Sequence, residues 1–215
     1  MTSRLDAVVI LARGAGRRMG GPKQGLRLQG DPRTFLENIT GLYGPRGWPV
    51  TVVVGLGQAA EAGSLVPEAR IVEGPDGGDT ALTMLTAWKA DASAFAPPTH
   101  YWAHPVDLPL VAPESVARLL QESGRQPRAI VRPGHGGGIG HPVIVPREVL
   151  QGLAGDTARH DRPLREHLDR VTGPGGGREL IVVEVPDPGV VRDFDEPGDL
   201  APRPGSNQEG ITGDE

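Results

Sequence analysis

The stretch DAVVILA, residues 6–12, constrains the fold more than any other part of the chain. It is apolar without alternation and rich in β-branched side chains, the pattern of a strand covered on both faces. Such strands belong to parallel sheets, whose crossovers must be helices, so an α/β architecture follows. The run is too short for a signal-peptide core and far too short to span a bilayer.

The next residues, LARGAGRRMGGPK (11–23), hold four glycines, three arginines and a lysine. At the carboxyl end of a parallel strand, glycines let backbone N–H groups approach an anion closely, and Arg17, Arg18 and Lys23 add charge-assisted donors. The loop reads as a polyphosphate site. It does not satisfy a P-loop, because Pro22 precedes Lys23 and Gln24 follows it, removing the metal-binding hydroxyl. It does not satisfy the dinucleotide fingerprint either, since the third glycine, Gly20, comes one position late.

Helix and strand signals then alternate. TFLENITGLY has apolar residues at helical spacing, with Thr34 and Glu37 as a capping box. PVTVVVG (49–55) and ARIVEG (69–74) read as strands on either side of a short helix, QAAEAGSL. DTALTMLTAWKA is a helix beginning near Asp79 or Thr80, THYWAHPVDLPLV a strand leading into an acidic turn, and PESVARLLQESG a helix. RAIVRPG and HPVIVPREVL read as two strands around the glycine-rich turn 134–141, followed by a helix in RPLREHLDRV and a last strand in ELIVVEVPD. The order predicts a three-layer α/β sandwich with a mostly parallel, Rossmann-like sheet, forming one domain over residues 1–200. The polar tail 201–215 is expected to be disordered.

A net charge of −5 argues against a general nucleic-acid or membrane-surface binder, so positive charge matters only locally. The absence of cysteine excludes disulfides, thiolate nucleophiles and Cys-type zinc sites, and suits a cytoplasmic protein. His100 and His104 are four apart but fall in a predicted strand, which argues against a helical zinc pair. Trp88 and Arg165 read as a packing residue and a surface-helix cation.

Two acidic segments complete the pattern. Asp107 in HPVDLPLV follows a strand and precedes a proline turn, and RDFDEPGDL carries carboxylates at 193, 195, 196 and 199. A phosphate-binding loop with two carboxylates from separate loops to hold Mg²⁺ against a phosphate is the layout for nucleotidyl transfer.

In that order, LARGAGRRMGGPK, PVDLPLV, GHPVIV and DFDEPGDL resemble the motifs of the MobA-like nucleotidyltransferases, over roughly residues 6 to 200. This group contains the molybdenum cofactor guanylyl- and cytidylyltransferases and is more distantly related to sugar-phosphate nucleotidylyltransferases; GHPV resembles its cytidylyltransferase and uncharacterised side. The resemblance implies the nucleotide-diphospho-sugar transferase fold and an enzyme that moves a nucleoside monophosphate from a nucleoside triphosphate to a small phosphorylated acceptor with release of pyrophosphate, the first candidate being guanylyl or cytidylyl transfer from GTP or CTP to the molybdopterin cofactor. It implies that Leu11, Ala12 and Gly14 lie along the base and ribose, and that Gly16 belongs to the same nucleotide loop. Arg18 and Lys23 would neutralise the triphosphate, Asp107 and Asp195 would hold Mg²⁺, and Gly140 and His141 would adjoin the acceptor. Asp193 would face away from Asp195 in an extended segment. Arg13 departs from the pattern, which has alanine or glycine there: the long cation either fills part of the nucleoside pocket, leaving a catalytically impaired binding module, or reaches a phosphate.

Overall fold

In a computed structural model, residues 5–74, 80–91, 97–155 and 163–200 are described. The run DAVVILA forms β1 (Asp6–Ala12), at the centre of the sheet. It pairs in parallel with β2 (Val50–Val54) on one side and with β4 (His100–Pro105) on the other, and β3 (Arg70–Glu73) extends the parallel set beyond β2. On the far side, β7 (Val143–Pro146) runs antiparallel to both β4 and β5 (Ile130–His135). A short β6 (Gly138–Ile139) closes a hairpin with β5, and β8 (Leu180–Glu184) pairs with β5 in parallel.

Successive β1 residues serve opposite faces. Val8, Ile10 and Ala12 pack with α1 (Phe35–Tyr43), α2 (Ala59–Leu65) and α4 (Pro113–Arg125). Ala7 and Val9 pack with α3 (Thr80–Asp91), α5 (Arg147–Gly155) and α6 (Leu164–Thr172). This is the three-layer sandwich expected, and each fully buried Val or Ile contributes about 1.5–3 kcal/mol of transfer free energy. The capping box forms as expected: the Thr34 hydroxyl accepts from Glu37 N at 3.2 Å, and Glu37 accepts from Thr34 N at 2.6 Å. Asp6, at the start of β1, is buried and accepts from the Trp102 indole at 2.9 Å.

One expected strand is shorter. The run HPVIVPREVL divides at Pro146, and Arg147 begins α5. Val149, Leu150 and Leu153 recur at helical spacing and bury against the second core, which outweighs strand pairing beyond Pro146. The expected helix start at Asp79 and the tail 201–215 lie outside the described residues. Among the described residues no helix is long and apolar enough to cross a membrane.

Candidate active site

The glycine loop leaves the carboxyl end of β1 and turns twice through left-handed backbone, at Gly16 (φ 55°) and Gly20 (φ 81°), around the short helical turn Arg17–Met19. A Cβ on Gly16 would lie 1.8 Å from the Gly21 carbonyl oxygen, so only glycine permits this fold-back. Met19 N and Gly21 N both donate to Gly16 O, at 2.8 and 3.2 Å. The loop then delivers Lys23 inward, while Gln24 is buried and donates to Gln58 Oε1 at 3.3 Å, tying the loop to the end of β2.

Asp107 stands on the turn after β4. Leu108 N donates to Pro105 O at 3.2 Å, Val106 N to Leu11 O at 3.1 Å, and Phe194 N to Asp107 O at 3.0 Å. The last bond ties the turn to the segment that carries Asp195. Phe194 is buried edge-on to Phe35 with the Arg192 guanidinium over its ring, at 5.5 and 4.7 Å between centres. Asp199 accepts from Asp195 N and Glu196 N at 2.9 and 2.8 Å and so shapes the turn that presents Asp195; those amides hold its carboxyl below the usual range. Asp193 is exposed. Asp187 locks the same segment onto α4, accepting from Ala112 N, Ser115 Oγ and Gly189 N at 2.8, 2.7 and 2.8 Å.

Both predicted metal carboxylates meet one ammonium. Lys23 Nζ lies 3.1 Å from Asp107 Oδ2 and also donates to Asp195 Oδ1. Burial disfavours the Lys23 charge, but hydrogen bonds to Asp195 and Asp107 and their negative charge hold its pKa above the ordinary value. Two convergent carboxylates with room for phosphate oxygens and water suit a hard divalent cation, which needs only one or two protein carboxylates when a phosphate supplies the rest. Among the described residues no cluster of three or more His, Cys, Asp or Glu could hold a metal by itself.

Two adjoining cavities share Gly14, Ala15 and Arg17. The larger, about 820 Å³, is lined by Leu11, Arg13, Gly55, Gln58, Thr80, Thr83, Pro105, Asp107 and His141. The smaller, about 350 Å³, is lined by Gly16, Arg18, Lys23 and Asp195. Ala12 is buried beneath the loop, and Gly140 borders neither cavity. Gly140 instead packs against the Val190 carbonyl, where a Cβ would come within 2.0 Å.

Arg13 borders the larger cavity. Its Nη1 donates to Thr83 Oγ1 at 3.2 Å, and its guanidinium lies over Gly74, where a Cβ would stand 2.8 Å from Nε. His141 is neutral: burial first, then the Arg132 charge beside it, push its pKa down to about 3 against a hydrogen bond to the Ala103 carbonyl. Its Nδ1 has no hydrogen-bond partner among the described residues. Sequence reading missed two contributors here. Arg132 donates from Nε to Gly140 O at 3.2 Å and puts a lasting cation beside His141, and Thr83 holds Arg13. Sitting in runs that read as ordinary strand and helix, neither carried a motif signal. His104, weighed in sequence only as half of a zinc pair, is fully buried and bonds the turn that carries Asp107. His100 and His104 do not converge on a metal: His100 Nε2 bonds Pro127 O, and His104 bonds Tyr43 and Leu108 O. Arg165 is exposed beside Asp169, and Trp88 packs on the second core.

Comparison with curated protein sequences gives no match. Among solved structures, the Mycobacterium sp. strain JC1 homolog of Rv0371c is 25% identical, with a TM-score of 0.70 over 90% of this chain and 92% of that one. Rv0371c of Mycobacterium tuberculosis H37Rv in complex with manganese is 22% identical, with a TM-score of 0.63 over 86% and 89%. Molybdopterin-guanine dinucleotide biosynthesis protein A of Archaeoglobus fulgidus is 19% identical, with a TM-score of 0.66 over 91% and 95%. The MobA-like NTP transferase domain matches residues 8–174, the span that carries the glycine loop, Asp107 and His141. The chain belongs to this family and is an enzyme of the nucleotidyltransferase class.

Proposed function

We propose that the chain transfers a nucleoside monophosphate from a nucleoside triphosphate, with Mg²⁺, to a small phosphorylated acceptor in the cytoplasm. The observation that carries this reading is the meeting of Asp107, Asp195 and Lys23 where the glycine loop borders two cavities. The nucleoside occupies the larger cavity along Leu11, Arg13 and Gly14, and the phosphates follow Gly16, Arg18 and Lys23. When bound, the cation held by Asp107 and Asp195 supplies charge neutralisation at the α-phosphate.

An acceptor phosphate oxygen attacks the α-phosphorus in line; the bond to the bridging oxygen breaks, and pyrophosphate leaves with its electron pair. A phosphate nucleophile is already ionised near pH 7, so no general base is needed. Lys23 and Arg18 stabilise the charge that moves onto pyrophosphate, as preorganised donors do. Arg132, beside Gly140, offers a permanent cation to the acceptor phosphate, while neutral His141 offers an acceptor nitrogen to a ligand hydroxyl or N–H. Arg13 lies on the wall of a cavity that stays open with the side chain in place, which favours a working nucleotide site over an occluded one.

The name of the Archaeoglobus relative makes molybdopterin the first acceptor to try, with sugar phosphates as the alternative. The test incubates the protein with Mg²⁺, each of GTP, CTP, ATP and UTP, and each acceptor. Pyrophosphate release with one NTP and one acceptor is expected; none with any pair, from folded protein, overturns the proposal.

A further inference from the structure

The turn that carries Asp107 is held at its far corner by a side chain three positions upstream. His104 is fully buried at the end of β4, and its Nε2 lies 2.9 Å from Leu108 O. A carbonyl only accepts, so Nε2 carries the proton. His104 Nδ1, 2.8 Å from Tyr43 Oη, must then accept from the phenol. The ring stays neutral, since burial lowers its pKa to about 4. Tyr43 is buried at the end of α1, edge-on to Trp102, and cannot easily move.

The other described bonds of the turn's backbone, Val106 N to Leu11 O, Leu108 N to Pro105 O and Phe194 N to Asp107 O, are backbone to backbone, while the Asp107 carboxylate itself meets Lys23. His104 is the side chain that fixes the carbonyl of the Leu108–Pro109 peptide, which begins one residue after Asp107 and pins the backbone on the carboxyl side of that aspartate. We propose that His104, locked by Tyr43, is a positioning residue for the Asp107 carboxylate and thereby for divalent-cation binding. This inference rests on the reading of Asp107 as a cation ligand. It assigns a role to a buried pair, Tyr43 and His104, that the proposed reaction does not touch.

Partners one bond removed from a metal ligand typically change metal affinity 10–100-fold when lost. Free Mn²⁺ is therefore measured by electron paramagnetic resonance while MnCl₂ is titrated into the wild-type chain with GTP or CTP, and into His104→Leu, His104→Gln and Tyr43→Phe. His104→Leu is expected to weaken Mn²⁺ binding about tenfold. His104→Gln restores most of it, because a carboxamide can donate to Leu108 O and accept from Tyr43. Melting temperature alone does not separate the readings; rescue of affinity by glutamine does. Wild-type affinity in a folded His104→Leu overturns the inference. If that variant does not fold, Tyr43→Phe decides, with a threefold or greater loss in support and an unchanged affinity against. If wild type itself binds no Mn²⁺ with either nucleotide, the proposed function falls together with the inference, and that outcome is distinct from an indifferent His104.

Discussion

The ammonium of Lys23 sits 3.1 Å from Asp107 Oδ2 while also donating to Asp195, so one side chain holds together the two carboxylates assigned to the metal. An ammonium and a divalent cation cannot both occupy the gap between two carboxylates without repulsion. On the proposed function a triphosphate would resolve the conflict, because its oxygens would accept Lys23 while bringing the metal. Lys23→Met is therefore expected to do two opposite things. It raises the affinity of the nucleotide-free protein for Mn²⁺, read by calorimetric titration, and lowers turnover by about 10²–10³, the effect of losing one preorganised donor worth about 2.7–4 kcal/mol. Unchanged or weaker Mn²⁺ binding in the free variant would contradict the competition.

Arg13 and Gly74 form a matched pair. The guanidinium rests where residue 74 has no side chain, and Thr83 steadies it from α3. Gly74→Ala pushes a Cβ toward Nε, but the obstructing atoms belong to a long side chain that can swing away. The expected outcome is a stability cost below about 1 kcal/mol with a several-fold loss in NTP affinity, matching that of Arg13→Ala. Tighter NTP binding in either variant would instead identify Arg13 as an obstruction.

Gly16 offers a sharper contrast. Its left-handed φ and its approach to the Gly21 carbonyl forbid a Cβ, and the clash is with backbone, which cannot step aside. Gly16→Ala should rearrange the loop locally and abolish NTP binding, while far-ultraviolet circular dichroism stays native because both cores lie elsewhere. At Gly14 no atom beyond the residue and its two chain neighbours lies within 4 Å of the position a Cβ would take, so alanine should be tolerated structurally. Equal loss of NTP binding in Gly16→Ala and Gly14→Ala would point to the nucleotide's approach rather than to loop shape.

The fold was legible because DAVVILA and VTVVV carry an unbroken apolar signal that admits burial on both faces only. The Thr34 and Glu37 cap was equally plain, since its partners are three residues apart. The boundary at Pro146 was not, because IVP and EVL are both apolar and only packing decides where the period changes. In the late acidic segment, four carboxylates look alike in sequence yet divide their roles: Asp195 faces Lys23, Asp199 holds the turn, and Asp193 and Glu196 are exposed. That division depends on Phe194 being anchored under Phe35, a contact across more than 150 positions that no local pattern encodes.

The buried histidines predict how the protein responds to acid. His104 and His141 titrate at about 4 and about 3 in the fold, below the ordinary value of 6.5, because burial opposes their charge. Between those values and 6.5 the unfolded chain binds more protons than the folded one, so stability is fully present above pH 6.5 and falls as pH drops toward 4. For His104 the loss at pH 5 is about 2 kcal/mol, with a further loss from His141 in the same direction. Asp199, whose carboxyl is held below the usual range, gives way only at lower pH. Urea denaturation at pH 7.5 and pH 5 should show the midpoint falling, and His104→Gln should remove the His104 share of that fall. Equal midpoints at the two pH values would mean that both rings accept protons without leaving the fold.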